Sequence, residues 1–105
     1  MIITLNNLGN SYPNMRLRPE EKFFTEEYPF TFEISYHFTS NKHIYVEIYH
    51  YNKNHPYFKK RLSNALKEVK GFFFDSINEA IKFLEVYLTK YYMKTLKIDN
   101  SIIKR

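Results

Sequence analysis

The sequence predicts an α+β domain: a small antiparallel sheet with two helices packed on one of its faces. Three observations lead there. Two runs within residues 30–51 alternate strictly between apolar and polar residues, the period of a half-buried strand. Residues 56–70 and 76–95 repeat apolar residues at helical spacing. The chain of 105 residues is long enough to bury one core and too short for two, so residues 1–105 are read as a single domain.

In chain order, IITL is a short strand candidate. Residues 6–29 then pass Pro13, Pro19 and Pro29 with no readable period, although a helical turn after Pro19 suits proline's preference for the first helical position. A structureless run of that length is either functional or conceals an element. PFTFEISYHFT sets Phe30, Phe32, Ile34, Tyr36 and Phe38 on one face. HIYVEIYHY sets Ile44, Val46 and Ile48 on one face and Tyr45, Glu47, Tyr49 and Tyr51 on the other. The two runs predict a central hairpin of about 30–39 and 43–51.

Register decides which side of that hairpin is core. A three-residue turn, Asn41 to His43, pairs Phe38 with Val46 and Tyr36 with Ile48, which keeps one face apolar. A one-residue slip would send every side chain to the other face, so the apolar match is preferred. The outer face then carries Glu33, Ser35 and His37 beside the tyrosines and Glu47, with His37 opposite Glu47. His50 falls on the apolar side near Ile34.

Pro56 is read as the start of the first helix and Gly71 as its cap, with Phe58, Leu62, Ala65, Leu66 and Val69 as the buried stripe. FFF at 72–74 is read as a strand joining the sheet. Ser76 and Glu79 form a capping box that opens the second helix, with Ile77, Ala80, Ile81, Leu84, Leu88 and Tyr91 facing inward. The tail LKIDNSIIKR either frays or adds an edge strand.

Composition excludes several functions. The absence of cysteine rules out disulfides, thiolate zinc sites and a thiol nucleophile. The first residues show no signal peptide, and IKFLEVYLTKYYM is broken by Lys82, Glu85 and Lys90, so a cytoplasmic, non-membrane protein is expected. Only Gly9 and Gly71 are present, too few for a phosphate-cradling loop. The histidines lack the spacing that places two ligands on one helical face, so no metal, cofactor or catalytic site is expected. Phe, Ile, Lys, Asn and Tyr account for 52 of the 105 residues, and AT-rich codons enrich all five. The aromatic share of 19% therefore carries little functional weight by itself.

Four groups of residues remain as candidate contact surfaces. Tyr45, Glu47, Tyr49 and Tyr51 form an outer sheet face, where the carboxylates oppose a phosphate backbone and favour a protein partner. Glu20, Glu21, Glu26 and Glu27 form an acidic segment suited to a basic nucleic-acid channel. Phe83, Val86 and Met93 lie off the core stripe of the second helix and suit a partner or a homodimer. Lys59, Lys60, Lys67 and Lys70, with Ser63, span about 100° of arc on the first helix and suit phosphates. Charge is uneven, net −2 over residues 1–52 and net +7 over 53–105.

The expected function is a non-enzymatic binding protein that inhibits or modulates a larger nucleic-acid-processing protein. That is the anti-CRISPR or anti-restriction kind common in phage and mobile-element genomes, working in the host cell cytoplasm. Direct RNA or single-stranded DNA binding through the lysine arc is the alternative, and a homodimeric accessory protein the third reading.

Overall fold

The computed structural model describes residues 1–9, 15–36, 44–99 and 101. Six strands form one mixed sheet: β1 (Ile2–Asn7), β2 (Arg16–Pro19), β3 (Phe30–Tyr36), β4 (Ile44–Tyr51), β5 (Leu66–Phe74) and β6 (Lys97–Asp99). One α-helix, α1 (Ile77–Tyr92), lies between β5 and β6 in the chain. The spatial order is β5-β4-β3-β2-β1-β6. The first five strands are an antiparallel meander; β6 then pairs parallel to β1. Helix α1 thus returns the chain from one edge of the sheet to the other.

The core lies between one face of the sheet and α1. Ile3, Leu5, Leu17, Phe30, Phe32, Ile34, Val46 and Ile48 meet Ala80, Ile81, Leu84 and Leu88 there. Alternation in β3 and β4 dictates this: every second residue from Ile44 to His50 is buried, and each buried apolar side chain stabilises the fold by about 1.5–3 kcal/mol. Helix α1 opens as its sequence requires. Ser76 Oγ accepts the Glu79 N–H at 3.2 Å, while the Glu79 carboxylate accepts the Asp75 N–H at 3.3 Å.

The predicted architecture of two helices on a small sheet is not what forms. Residues 56–70 hold no α-helix: turns lead to a short 3₁₀ segment, Leu62–Ala65, and then directly into β5. Two features defeat the helical spacing there. Lys59 sits at φ 68 and Arg61 at φ −135, both incompatible with helical continuation. Residues 66–74 also contain Val69 and three phenylalanines, which pair along the whole of β4 and satisfy its second row of backbone groups. The supposed buried stripe is mostly outside: Leu62, Leu66 and Val69 are exposed and only Ala65 is buried. Gly71 is a mid-strand residue rather than a cap.

The hairpin register also differs. Val46 pairs with Ile34, Ile48 with Phe32 and His50 with Phe30. Both strands keep their predicted faces but are offset from the predicted pairing, and Tyr36 meets Ile44 rather than Ile48. Glu47 is opposite Glu33, not His37. His37, Phe38 and the turn at Asn41–His43 lie outside the described residues. The irregular 6–29 segment conceals β2 and a 3₁₀ turn at Glu21–Phe23. The tail supplies β6. Among the described residues no helix is long and apolar enough to cross a membrane.

Candidate functional site

Helix α1 covers one face of the sheet, and among the described residues no α-helix or second sheet covers the opposite face, called the open face below. Its centre is made by residues that alternation turns away from the core: Thr31, Glu33 and Ser35 of β3 and Tyr45, Glu47, Tyr49 and Tyr51 of β4, all partly exposed. Arg16 and Arg18 of β2 flank them on one side, with Leu17 between the two turned into the core. Val69 and Phe73 of β5 flank them on the other and are 45% and 41% exposed, respectively.

Two carboxylates, Glu33 and Glu47, stand directly opposite each other at the middle of this face. Like charges so placed repel, and the surrounding side chains relieve them. Arg16 Nε donates to Glu33 Oε1 at 2.7 Å, and Arg18 Nε lies 3.3 Å from the same oxygen. The Tyr49 hydroxyl donates to Glu47. Burial, then the hydrogen bond and charge of Glu47, push the Tyr49 phenol well above its ordinary value. Burial and Glu47 also raise Tyr45.

Tyr45 is held in a defined place. Its ring lies 4.6 Å from that of Phe73 and covers Gly71, where an added Cβ would stand 2.2 Å from the Tyr45 hydroxyl oxygen. This close approach explains a glycine in mid-strand. At the far end Tyr51 and Phe24 meet edge to face at 5.1 Å, and Phe24 packs at a tilt against Phe58 at 5.2 Å. Beyond Tyr51 opens a cleft of about 850 Å³, lined in part by Arg18, Glu20, Glu21, Lys22 and Lys59.

The structure separates what the sequence grouped. Glu20 and Glu21 line that cleft, and Glu20 lies 3.3 Å from Lys22. Glu26 and Glu27 instead line a second groove beside His50, and Glu27 pairs with Lys94, whose hydrogen bond and charge hold it below the usual carboxylate value. The four glutamates therefore present no single acidic patch. The lysine arc disappears with its helix. Lys59 and Lys60 lie in turns, Lys67 lines the second groove, and Lys70 Nζ sits 5.8 Å from the centre of the Tyr87 ring. Phe83 packs inward on Phe72 and Phe74 at 4.6 and 5.1 Å, while Val86 and Met93 remain exposed.

Sequence reasoning missed Arg16 and Arg18, because β2 has one buried residue and no readable alternation. Their i, i+2 spacing across Leu17 was the available signal. Also missed was the ring cluster around His50. The imidazole is buried and stacks on Tyr91 at 3.9 Å, and its Nδ1 lies 3.1 Å from the Tyr92 hydroxyl. Among the described residues no three histidines and carboxylates converge to hold a metal ion.

No protein-family model, curated protein or solved structure matches this chain.

Proposed function

We propose that the protein is a non-enzymatic binding module that docks its open sheet face on a larger, nucleic-acid-processing protein and modulates it in the cytoplasm. The anti-defence kind encoded by phage and mobile elements is the class of inhibitor meant. The observation that carries the docking reading is the composition of the open face. Tyrosine and arginine, the residues that dominate binding energy at protein interfaces, surround two carboxylates already matched within the chain. Such a face can be desolvated against a protein without leaving an uncompensated charge. Of the two mechanisms read from the sequence, planting the tyrosines on the target keeps its geometry. Acidic mimicry loses support, because the glutamates divide between two sites. The nucleic-acid partner class rests on charge and genome-type composition.

The test is capture from host lysate by wild type, Tyr45→Ala, Arg16→Ala and Val86→Ala, followed by assay of the captured protein's activity. Wild type and Val86→Ala should retain one nucleic-acid-processing protein and inhibit it, and the two face variants should lose it by about tenfold or more, the hot-spot range. Capture indifferent to the face variants would overturn the reading. So would direct binding of labelled RNA or DNA that falls steeply with salt and is abolished by reversing Lys60 and Lys67.

A further inference from the structure

We infer that β5 is a self-association edge, at which two copies of this chain pair antiparallel about Val69. This edge adjoins the open face, which Val69 and Phe73 also flank, but the pairing uses backbone groups and does not rest on the docking proposed there. β5 is nine residues long and forms one end of the sheet, and among the described residues no strand pairs with its outer side. The other edge strand, β6, has only three residues. A long edge presents a row of unpaired N–H and C=O groups, which proteins usually blunt with proline, bulges, inward charges or a covering element. β5 has no proline, and its one irregularity lies at its beginning, where β4 shifts register between His50 and Tyr51. Its remaining protection is its charges, Lys67, Glu68 and Lys70, and a partner strand that matches Glu68 and Lys70 removes most of it. From Val69 onward the edge is regular, with Val69 and Phe73 exposed.

Symmetry and charge then select both occupant and register. A two-fold axis through the edge sets each residue opposite one on the same face, so the axis passes through a residue position, and Val69, Lys70 and Gly71 are the central choices. An axis at Lys70 opposes Lys70 to the partner's Lys70. An axis at Gly71 sets Glu68 against the partner's Phe74 and Lys70 against the partner's Phe72. An axis at Val69 sets Glu68 against the partner's Lys70, and Lys70 against the partner's Glu68, with Val69 on the partner's Val69. Only this last register sets unlike charges against each other; Lys67, at the irregular start of the strand, faces the partner's Gly71. Both groups can reach it: Lys70 is exposed, lies over the Tyr87 ring and makes no ion pair among the described residues, and the Glu68 side chain, hydrogen-bonded to Tyr91 and 3.9 Å from His50 Nε2, is still 34% exposed.

The pairing would fuse two six-stranded sheets into one continuous sheet, with both α1 helices on the same side. Its test is the mass in solution across a range of concentration, followed by a charge swap. Wild type should approach twice 12.9 kDa. Lys70→Glu should weaken the dimer about tenfold or more, since two attractive cross-strand pairs become repulsive, and Glu68→Lys combined with Lys70→Glu should restore it. The chain has no cysteine, so Val69→Cys gives a second, independent measurement. Residues facing each other across an antiparallel pair lie about 4.5–5.5 Å apart at Cα, within disulfide reach. Val69→Cys should therefore oxidise to a covalent dimer and Phe73→Cys should not. A wild type that stays monomeric at every concentration overturns the inference. A dimer indifferent to Lys70→Glu, or one that Val69→Cys fails to cross-link, overturns the register.

Discussion

His50 shows what a single residue gains and loses in this fold. Alternation along β4 sends it inward, where Tyr91 stacks on it and Tyr92 meets its Nδ1, but among the described residues its Nε2 has no hydrogen-bond partner. Burial holds its pKa down to about 4; Glu68 pulls the other way, and Lys70 and Lys67 add to the depression. A histidine whose folded pKa lies below its unfolded value of about 6.5 binds fewer protons when folded, so stability falls as pH falls. The contribution is complete above pH 6.5 and is lost progressively down to about pH 4. It amounts to about 3 kcal/mol at about 1.4 kcal/mol per pH unit. Urea midpoints at pH 7 and pH 5 should drop for wild type and change much less for His50→Phe; equal slopes would show that another group is responsible. The inward direction of His50 was legible in the sequence. Its ring partners were not, because they come from a helix some forty residues later and lie at the end of that helix's readable stripe.

At the scale of elements, α1 ends on a residue that strains it. Met93 caps the helix in the left-handed region, φ 58 and ψ 30, and is 85% exposed. A side chain there costs about 1–2 kcal/mol, partly offset because glycine loses more entropy on folding. Met93→Gly should therefore raise stability by about 0.5–1 kcal/mol, read as a higher urea midpoint with an unchanged slope. A lower midpoint would mean that the Met93 side chain contributes a contact. The start of this helix was legible because Ser76 and Glu79 act locally. β5 was not, since Phe58, Leu62, Leu66 and Val69 happen to fall at helical spacing between a proline and a glycine that imitate caps. What decides the matter is non-local: β4 needs a partner along its whole length. The hairpin was legible in its faces but not in its register, because a shift by an even number of residues preserves every face. The open face was accordingly half readable, its tyrosines from alternation and its arginines only as an i, i+2 pair too short to declare a strand.

For the whole molecule, the decisive event is the return of the chain across the sheet. The meander from β1 to β5 forms between sequence neighbours, but β6 must reach β1 over more than ninety residues and then pair in parallel. Among the described residues three ladder pairs hold it there, Ile2 with Lys97, Ile3 with Ile98 and Thr4 with Asp99, and the Met1 amino group donates to the Thr95 carbonyl at 3.1 Å just before it. Side chains of α1 supply the remainder. Thr89 Oγ1 accepts the Leu96 N–H at 3.0 Å and donates to the Leu96 carbonyl at 3.4 Å, and Glu85 accepts the Ile98 N–H at 2.8 Å. Thr89→Val keeps the shape of the side chain and removes both of its hydrogen bonds, leaving the backbone of Leu96, a buried residue, without them. The expected cost is about 1–3 kcal/mol. Because β6 is short and at an edge, the loss should appear first as local opening. Amide hydrogen exchange at Leu96 and Ile98 should accelerate well before that of β3 and β4, whose amides are expected to exchange only with global unfolding. If all strands lost protection together, β6 would belong to the cooperative core and α1 would not be what holds it on the sheet.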